Sequence, residues 1–393
     1  MRTYNPLRTK DVRFHNQKII LSMIYQARDR GISQSELVES TGLRAPTLFR
    51  IFSSLEEMGL IEIFEDNDNY QSDLTKKGRR PTAYTTQKDA LYTIGMEFWV
   101  SYISVGVFDF RGNKILSSVE PMPKDVDVLE TVDRIVAMVG EMISCLGIPE
   151  EKILGMGVAA PGQVDTASRS IVGYGRIAGM SDFPLAEKLE GRLKIPVVLH
   201  NNSSAMALSE FRYGGYDHKG SMFVFLIRSG VGGSFVNRDG ICTSERKTLE
   251  PGHVSISFDG PQCYCGIRGC LEAYLTELDA PYRKEGKADG LLFESLERML
   301  EDEDPEAEKT VIKAADYMYA AMKSIVRLLS PKSFLILTGG KLLGDRMAGH
   351  IERRWQGEND VFLPGRPGIF GSTYTHQASQ RGASDLVITH YFS

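Results

Sequence analysis

One histidine and three cysteines stand close enough in the chain to do chemistry together. His253, Cys263, Cys265 and Cys270 follow the spacing H-x9-C-x-C-x4-C. Three thiolates and one imidazole close a tetrahedral shell around Zn2+, and Gly266 and Gly269 let so short a loop turn back on itself. Four protein ligands leave no open coordination position, so the expected zinc is structural rather than catalytic. The competing reading is three unrelated cysteines in a glycine-rich loop. Three of the chain's five cysteines lie within eight residues, ten after a histidine, which argues against it. An odd cysteine count in a chain of 393 residues also argues against a disulfide framework, and it points to a reducing compartment, the cytoplasm.

A second group of residues suits phosphate and base contacts. Ser33-Gln34-Ser35-Glu36 reads as a capping box, with Ile32 and Leu37 placed for a hydrophobic staple. The short helix it opens stops near Thr41-Gly42. A further helix starts at about Arg44, with Pro46 in its first turn and Leu48, Ile51, Phe52 and Leu55 along one buried stripe. Arg44, Thr47 and Arg50 lie off that stripe. A preceding helix, His15 to Ala27, completes a helix-turn-helix arrangement whose last helix would enter the major groove. Two strands follow, Leu60–Phe64 and Ala83–Thr85, and the segment between them carries Lys76, Lys77, Arg79 and Arg80. These read as a wing with a basic tip that touches phosphates. The plainer reading is a small helical cap with a solvated basic run. The acidic loop 65–73 is an objection to DNA binding unless it points away from the duplex.

These groups need elements to position them. Hydrophobic residues make up 42% of the chain and charged residues 25%, an ordinary globular composition that excludes disorder. No run approaches the ~18 apolar residues of a membrane span, and the polar, basic N-terminus shows no signal peptide. Residues 1–90 carry a net charge of +2 and the remainder −7, so the two parts are expected to meet different partners. From about Leu91, apolar strands alternate with longer helices. Strands are expected at 92–97, 101–108, 114–117, 153–159, 197–199, 223–227 and 234–237, and helices at 125–145, 185–193 and 306–329. This is an α/β pattern with two lobes.

The segment Glu250-Pro251-Gly252-His253 through Cys263-Tyr264-Cys265-Gly266-Ile267-Arg268-Gly269-Cys270-Leu271-Glu272 resembles the ExGH and CxCGxxGCxE elements of the ROK family of repressors and sugar kinases. Pro161-Gly162-Gln163-Val164-Asp165 resembles its PGxVD turn, the stretch from Asn201 to Glu210 its NDxNxxALxE stretch, and Gly78-Arg79-Arg80-Pro81 the boundary of its repressor branch. The resemblance spans essentially the whole chain. It implies a winged helix-turn-helix over 1–87, followed by a two-lobed, actin-like or ribonuclease H-like domain over 88–393. One lobe would comprise 88–200 with a C-terminal helix 376–393, the other 201–375. It further implies a monosaccharide in the cleft, held by Asn201, Asn202, Glu250, His253 and Glu272. His253 would then serve metal and sugar through different ring nitrogens.

Two departures bear on activity. The kinases place a general-base Asp where this chain has Asn202, and an amide cannot take a proton from a sugar hydroxyl. Their first phosphate turn is replaced by Gly95-Met96-Glu97-Phe98-Trp99-Val100, with a tryptophan where backbone must approach phosphate. Gly230-Val231-Gly232-Gly233 and Gly339-Gly340 are similar to the second phosphate and adenosine elements, though glycine pairs after strands are commonly plain turns. The expected protein is a sugar-responsive, non-enzymatic repressor of carbohydrate-utilisation genes, a homodimer or dimer of dimers on operator DNA, answering to a monosaccharide or sugar phosphate. Two alternatives stand beside it. One is an active sugar kinase that also binds DNA, with Glu97 replacing the lost Asp. The other is a regulator whose large domain is a scaffold that senses no sugar, which His200 and Asn202 in place of acidic residues keep open.

Overall fold

A computed structural model describes residues 9–64, 82–218, 220–243, 248–283, 291–358 and 365–393. The N-terminal helix α1 (Thr9–Gln26) is followed by a two-residue strand β1 (Ile32–Ser33), then α2 (Gln34–Thr41) and α3 (Ala45–Glu57). The capping box forms: Ser33 Oγ accepts from the Glu36 amide, and Glu36 accepts from the Ser33 amide at 2.8 Å. Gly42, left-handed at φ 68°, ends α2. Leu48, Ile51, Phe52 and Leu55 bury the inner face of α3. β2 (Ile61–Ile63) pairs antiparallel with β3 (Ala83–Thr86), which also pairs with β1. The sequence patterning missed β1, because two residues carry no period.

Two five-stranded sheets form the rest. The first has order β10-β7-β4-β5-β6, built from β4 (Tyr92–Trp99), β5 (Tyr102–Asp109), β6 (Lys114–Pro121), β7 (Ile153–Ala160) and β10 (Val197–Asn201). The small hairpin β8 (Gln163–Asp165) and β9 (Ser170–Gly173) lies beside it. Helices α4 (Val128–Leu146) and α5 (Leu185–Leu193) cover one face, meeting Ile94, Met96 and Phe98 of β4 in one cluster. The period of two turns Thr93, Gly95 and Glu97 to the opposite face. There they meet the C-terminal helix α11 (His376–Phe392): Thr93 and Ser384 hydroxyls lie 2.6 Å apart. A Cβ on Gly95 would sit 1.8 Å from the Gln380 carbonyl, so only glycine admits this helix.

The second sheet has order β13-β12-β11-β14-β15, from β11 (Ser221–Ile227), β12 (Val231–Asn237), β13 (Gly240–Cys242), β14 (Ser333–Thr338) and β15 (Gly368–Thr373). Phe223, Phe225, Phe334 and Ile336 join the cluster of α7 (Leu271–Asp279), α8 (Glu294–Glu301), α9 (Pro305–Leu329) and α10 (Lys341–Gln356). The alternate residues Met222, Val224, Leu226, Leu335 and Leu337 pack on the other side with Ala205–Leu208 of α6 (Asn202–Tyr213) and with Ala383 and Leu386 of α11. The layers are therefore helix, sheet, helix pair, sheet, helix. The central pair, α6 and α11, touches both sheets.

Candidate functional site

The loop between the short 3-10 turn Pro251–His253 and α7 is folded by its own backbone. Ile256 N donates to Gly269 O at 2.8 Å, Gly269 N to Pro261 O at 2.8 Å and Cys263 N to Ile267 O at 2.9 Å. Gly269, at φ 76°, is required: a Cβ would lie 1.6 Å from the Ser257 carbonyl. This brings His253, Cys263, Cys265 and Cys270 together with their ligand atoms all within 4.8 Å of one another. Cys263 Sγ lies 3.5 Å from His253 Nδ1, and Cys265 Sγ 3.6 Å from Cys270 Sγ. Zinc bond lengths imply tetrahedral edges of about 3.6 Å from sulfur to nitrogen and about 3.8 Å from sulfur to sulfur. The group can hold a metal ion. Burial pushes the Cys263 thiol up and the Cys270 thiol up to about 12, whereas a backbone hydrogen bond from Ile267 pulls the exposed Cys265 thiol down; a cation among them would favour the thiolate of all three.

Beside this loop lie the other residues expected to meet a sugar. Glu272, two residues after Cys270, is the second residue of α7, and its Oε2 accepts from Val231 N at 2.6 Å. Glu250 opens the 3-10 turn and makes no side-chain cap. Burial, then the neighbouring Glu272 charge, pushes its carboxyl up to about 7. Asn201 caps α6: its Oδ1 accepts from Ser203 N at 2.8 Å, and its Nδ2 donates to Gly162 O at 2.8 Å. Most of its amide is thereby engaged in holding the Pro161–Asp165 turn to the helix start. Asn202, 8% exposed, makes no side-chain hydrogen bond to another described residue. His200, where an acidic residue was the comparison, is buried, held down to about 4 by that burial, and accepts from Asn201 N at 3.0 Å. The expectation that His253 offers its second nitrogen to a sugar meets a neighbour: Tyr264 Oη lies 3.1 Å from Nε2.

The turns that follow β4 and β11 face each other across the two sheets. Arg228, just past β11, donates from Nη1 to Glu97 Oε1 at 2.9 Å and from Nη2 to Tyr102 Oη at 2.8 Å. Its guanidinium lies 4.8 Å from the Trp99 ring and 4.2 Å from the Tyr374 ring. Tyr102 donates to Glu97 Oε2 at 3.0 Å, and Tyr374 also donates to that oxygen. Glu97 is fully buried and Arg228 nearly so. Of this cluster, sequence reasoning singled out Glu97 and Trp99 and missed Arg228, Tyr102 and Tyr374. Val231–Gly233, read as part of a phosphate turn, belong to strand β12, leaving only Gly230 in the turn.

A model described as the ROK family matches residues 93–390. The chain belongs to the ROK family. A xylose repressor of Bacillus subtilis (strain 168) is 23% identical over 384 residues, covering 96% of this chain and 95% of that protein. A crystal structure described as a ROK family transcriptional regulator, homolog of E. coli MLC protein, superposes with a TM-score of 0.77 at 18% identity, over 96% of this chain and 97% of that one. The ROK hexokinase from Thermus thermophilus superposes with a TM-score of 0.60 at 25% identity, over 75% of this chain and 97% of that one.

The helices and three-stranded sheet that precede the ROK match dock on it. Arg28 donates to Arg111 O at 2.6 Å and to Tyr213 Oη at 3.1 Å, and Tyr213 donates to Asp385 Oδ1 at 3.1 Å. Tyr25 packs on Phe110 and Phe392, with ring centroids 5.8 and 5.7 Å apart. Tyr213 is the last residue of α6, whose first residue is Asn202, so one ROK helix runs from Asn202 to the docked N-terminal unit. Arg44, the N-cap of α3, and Thr47 and Arg50 within that helix are exposed. Lys76, Lys77, Arg79 and Arg80, the expected wing tip, lie outside the described residues, as does the Gly78–Pro81 boundary. Among the described residues no helix is long and apolar enough to cross a membrane.

Proposed function

We propose that this ROK protein is a sugar-responsive DNA-binding transcriptional regulator, a repressor of carbohydrate-utilisation genes, without kinase activity. The observation that carries the reading is the Arg228–Glu97 pair. A kinase must admit the phosphates of a nucleotide between the turns after β4 and β11. The Arg228 guanidinium, paired with Glu97 and set against the Trp99 and Tyr374 rings, lies between those turns, which supports a reading in which that space is filled from within the chain. Asn202 adds a second deficit, since an amide has no basic lone pair for proton abstraction. The repressor name of the full-length Bacillus subtilis relative favours the same reading.

The pocket keeps chemistry suited to a polyol. Glu272 and Glu250 accept or, when protonated, donate; the Asn202 amide does both; and sugar hydroxyls need both. Bound Zn2+ would be structural: it would fix the imidazole of His253 and hold Glu272 through the neighbouring Cys270. Residues 1–87 form the winged helix-turn-helix in this reading and 88–393 the sensor. Residues 88–200 with 376–393 make one lobe and 201–375 the other. Arg44, Thr47 and Arg50 read bases, and Lys76, Lys77, Arg79 and Arg80 contact phosphates. The chain acts as a homodimer or dimer of dimers, matching a two-fold operator. Sugar that draws Asn202 toward the pocket shifts α6, and with it the Tyr213 seat of Arg28, biasing the DNA-binding units.

The test is a phosphotransfer assay with ATP and a panel of hexoses and pentoses, run beside a thermal-shift screen of the same sugars. The expected result is a shift with at least one sugar and no turnover. Sustained ATP-dependent phosphorylation by the unmodified chain would overturn the non-enzymatic reading. No shift with any sugar would favour the scaffold alternative.

A further inference from the structure

We infer that Tyr264 is a built-in occupant of the effector pocket, its phenol standing where a sugar hydroxyl binds, and that it must swing out for sugar to enter. This rests on the sugar-sensing reading above. Tyr264 is the middle residue of the Cys-x-Cys element, a position whose side chain takes no part in the metal site. Its hydroxyl lies 3.1 Å from His253 Nε2, and the Glu272 and Glu250 carboxylates are close enough to bear on it electrostatically.

The proton arrangement defines what the phenol imitates. His253 Nδ1 faces Cys263 Sγ and the other thiols. With Nδ1 directed at a metal, the ring proton resides on Nε2. Nε2–H then donates to Tyr264 Oη, which leaves the phenolic O–H to turn toward the neighbouring Glu272 and Glu250 carboxylates. A group that accepts from the histidine and still has a proton to offer a carboxylate is a hydroxyl, and a sugar hydroxyl has the same capacity.

The phenol is also free to leave. Tyr264 is 81% exposed, and its ring meets His253 edge-to-face at 5.2 Å. Its backbone is held independently, because Cys263 N donates to Ile267 O at 2.9 Å and Gly266 N to Cys263 O at 3.0 Å. A side-chain rotation therefore empties the position without unfolding the loop. An occupant that must be displaced lowers apparent affinity by the fraction of time the position is open.

The test compares zinc-loaded full-length wild type with Tyr264→Phe, by calorimetric titration with D-xylose and D-glucose and by NMR of ring-15N-labelled histidine. The phenylalanine keeps the ring and removes the competing hydroxyl. Apparent sugar affinity should tighten by about 3- to 10-fold, the scale of one net hydrogen bond. The His253 Nε2–H resonance should be protected in sugar-free wild type, lost to solvent exchange in sugar-free Tyr264→Phe, and restored by sugar. Unchanged or weaker sugar binding by the variant overturns the inference while leaving the sugar reading intact. If neither sugar binds either protein, the sugar reading itself fails for these ligands. An Nε2–H resonance indifferent to the substitution overturns the placement of Tyr264 whatever the sugars do.

Discussion

Replacing Arg228 by methionine should destabilise the chain by about 3–5 kcal/mol, the cost of stranding one member of a buried ion pair. The structure supports the upper part of that range. Glu97 has no exposed surface and Arg228 is 6% exposed, so water cannot solvate the carboxylate that remains. Two phenols, Tyr102 and Tyr374, would be left as its donors. Glu97→Gln removes the stranded charge, so the double variant Glu97→Gln/Arg228→Met should recover about 2–3 kcal/mol relative to the sum of the single changes. The assay is urea unfolding followed by tryptophan fluorescence, for which Trp99 under the guanidinium is a local reporter. Additive single and double effects would refute the argument that this pair bridges the two sheets through water-free contact. None of the three variants should acquire phosphotransfer activity, since the pocket still lacks a base at Asn202.

Cys265→Ser should lower zinc from one atom per chain to well below one and loosen the 250–272 segment, because metal binding here is part of folding; metal analysis with hydrogen exchange checks this, and full zinc content in the variant would contradict the ligand set. Glu250→Gln should flatten the pH dependence of stability. A carboxyl held at about 7 rather than 4.5 favours its protonated form in the folded chain, so its contribution is complete below about pH 4.5 and is lost as pH rises through 7. The loss is up to about 3 kcal/mol at ~1.36 kcal/mol per pH unit, and thermal midpoints of wild type and variant that run parallel from about pH 5 to about pH 8 would be the contrary result. Arg50→Ala should abolish preference among DNA sites, whereas Arg79→Ala should weaken all sites alike and reduce the salt slope by about one. Binding titrations at several salt concentrations separate the two roles, and an unaltered slope would remove Arg79 from the phosphate contacts.

The parts legible in the sequence were those whose signal is local. The Ser33–Glu36 box, the Leu48–Leu55 stripe and the His253–Cys270 spacing each lie within one or two turns or one loop, and each forms as the spacing implies. Strand period was legible too, and it accounts for why Glu97 faces the neighbouring lobe while Met96 and Phe98 face α4. What was not legible came from distance in the chain. Arg228 is 131 residues from Glu97, and Tyr374 is 277 residues from it; no period links them. The seat of Arg28 on Tyr213 spans 185 residues. Tyr264 was overlooked for a different reason: between two candidate metal-ligating cysteines, a residue reads as spacer, and only its hydroxyl position reveals a contact. Asn201 carries a mixed lesson, since a residue assigned to the ligand spends most of its amide capping α6.

The central claim, that sugar in the ROK pocket governs DNA binding, is tested most directly by one titration. Full-length protein is bound to a duplex selected from a random-sequence pool, and its affinity is measured by fluorescence anisotropy as D-xylose or D-glucose is added, with wild type beside Glu250→Ala. The account predicts that at least one sugar changes wild-type affinity by about 5- to 150-fold, the range of ordinary allosteric coupling, and that Glu250→Ala binds the same duplex normally but needs about 10- to 100-fold more sugar to respond. A wild-type affinity indifferent to both sugars, or a Glu250→Ala response identical to wild type, would contradict it.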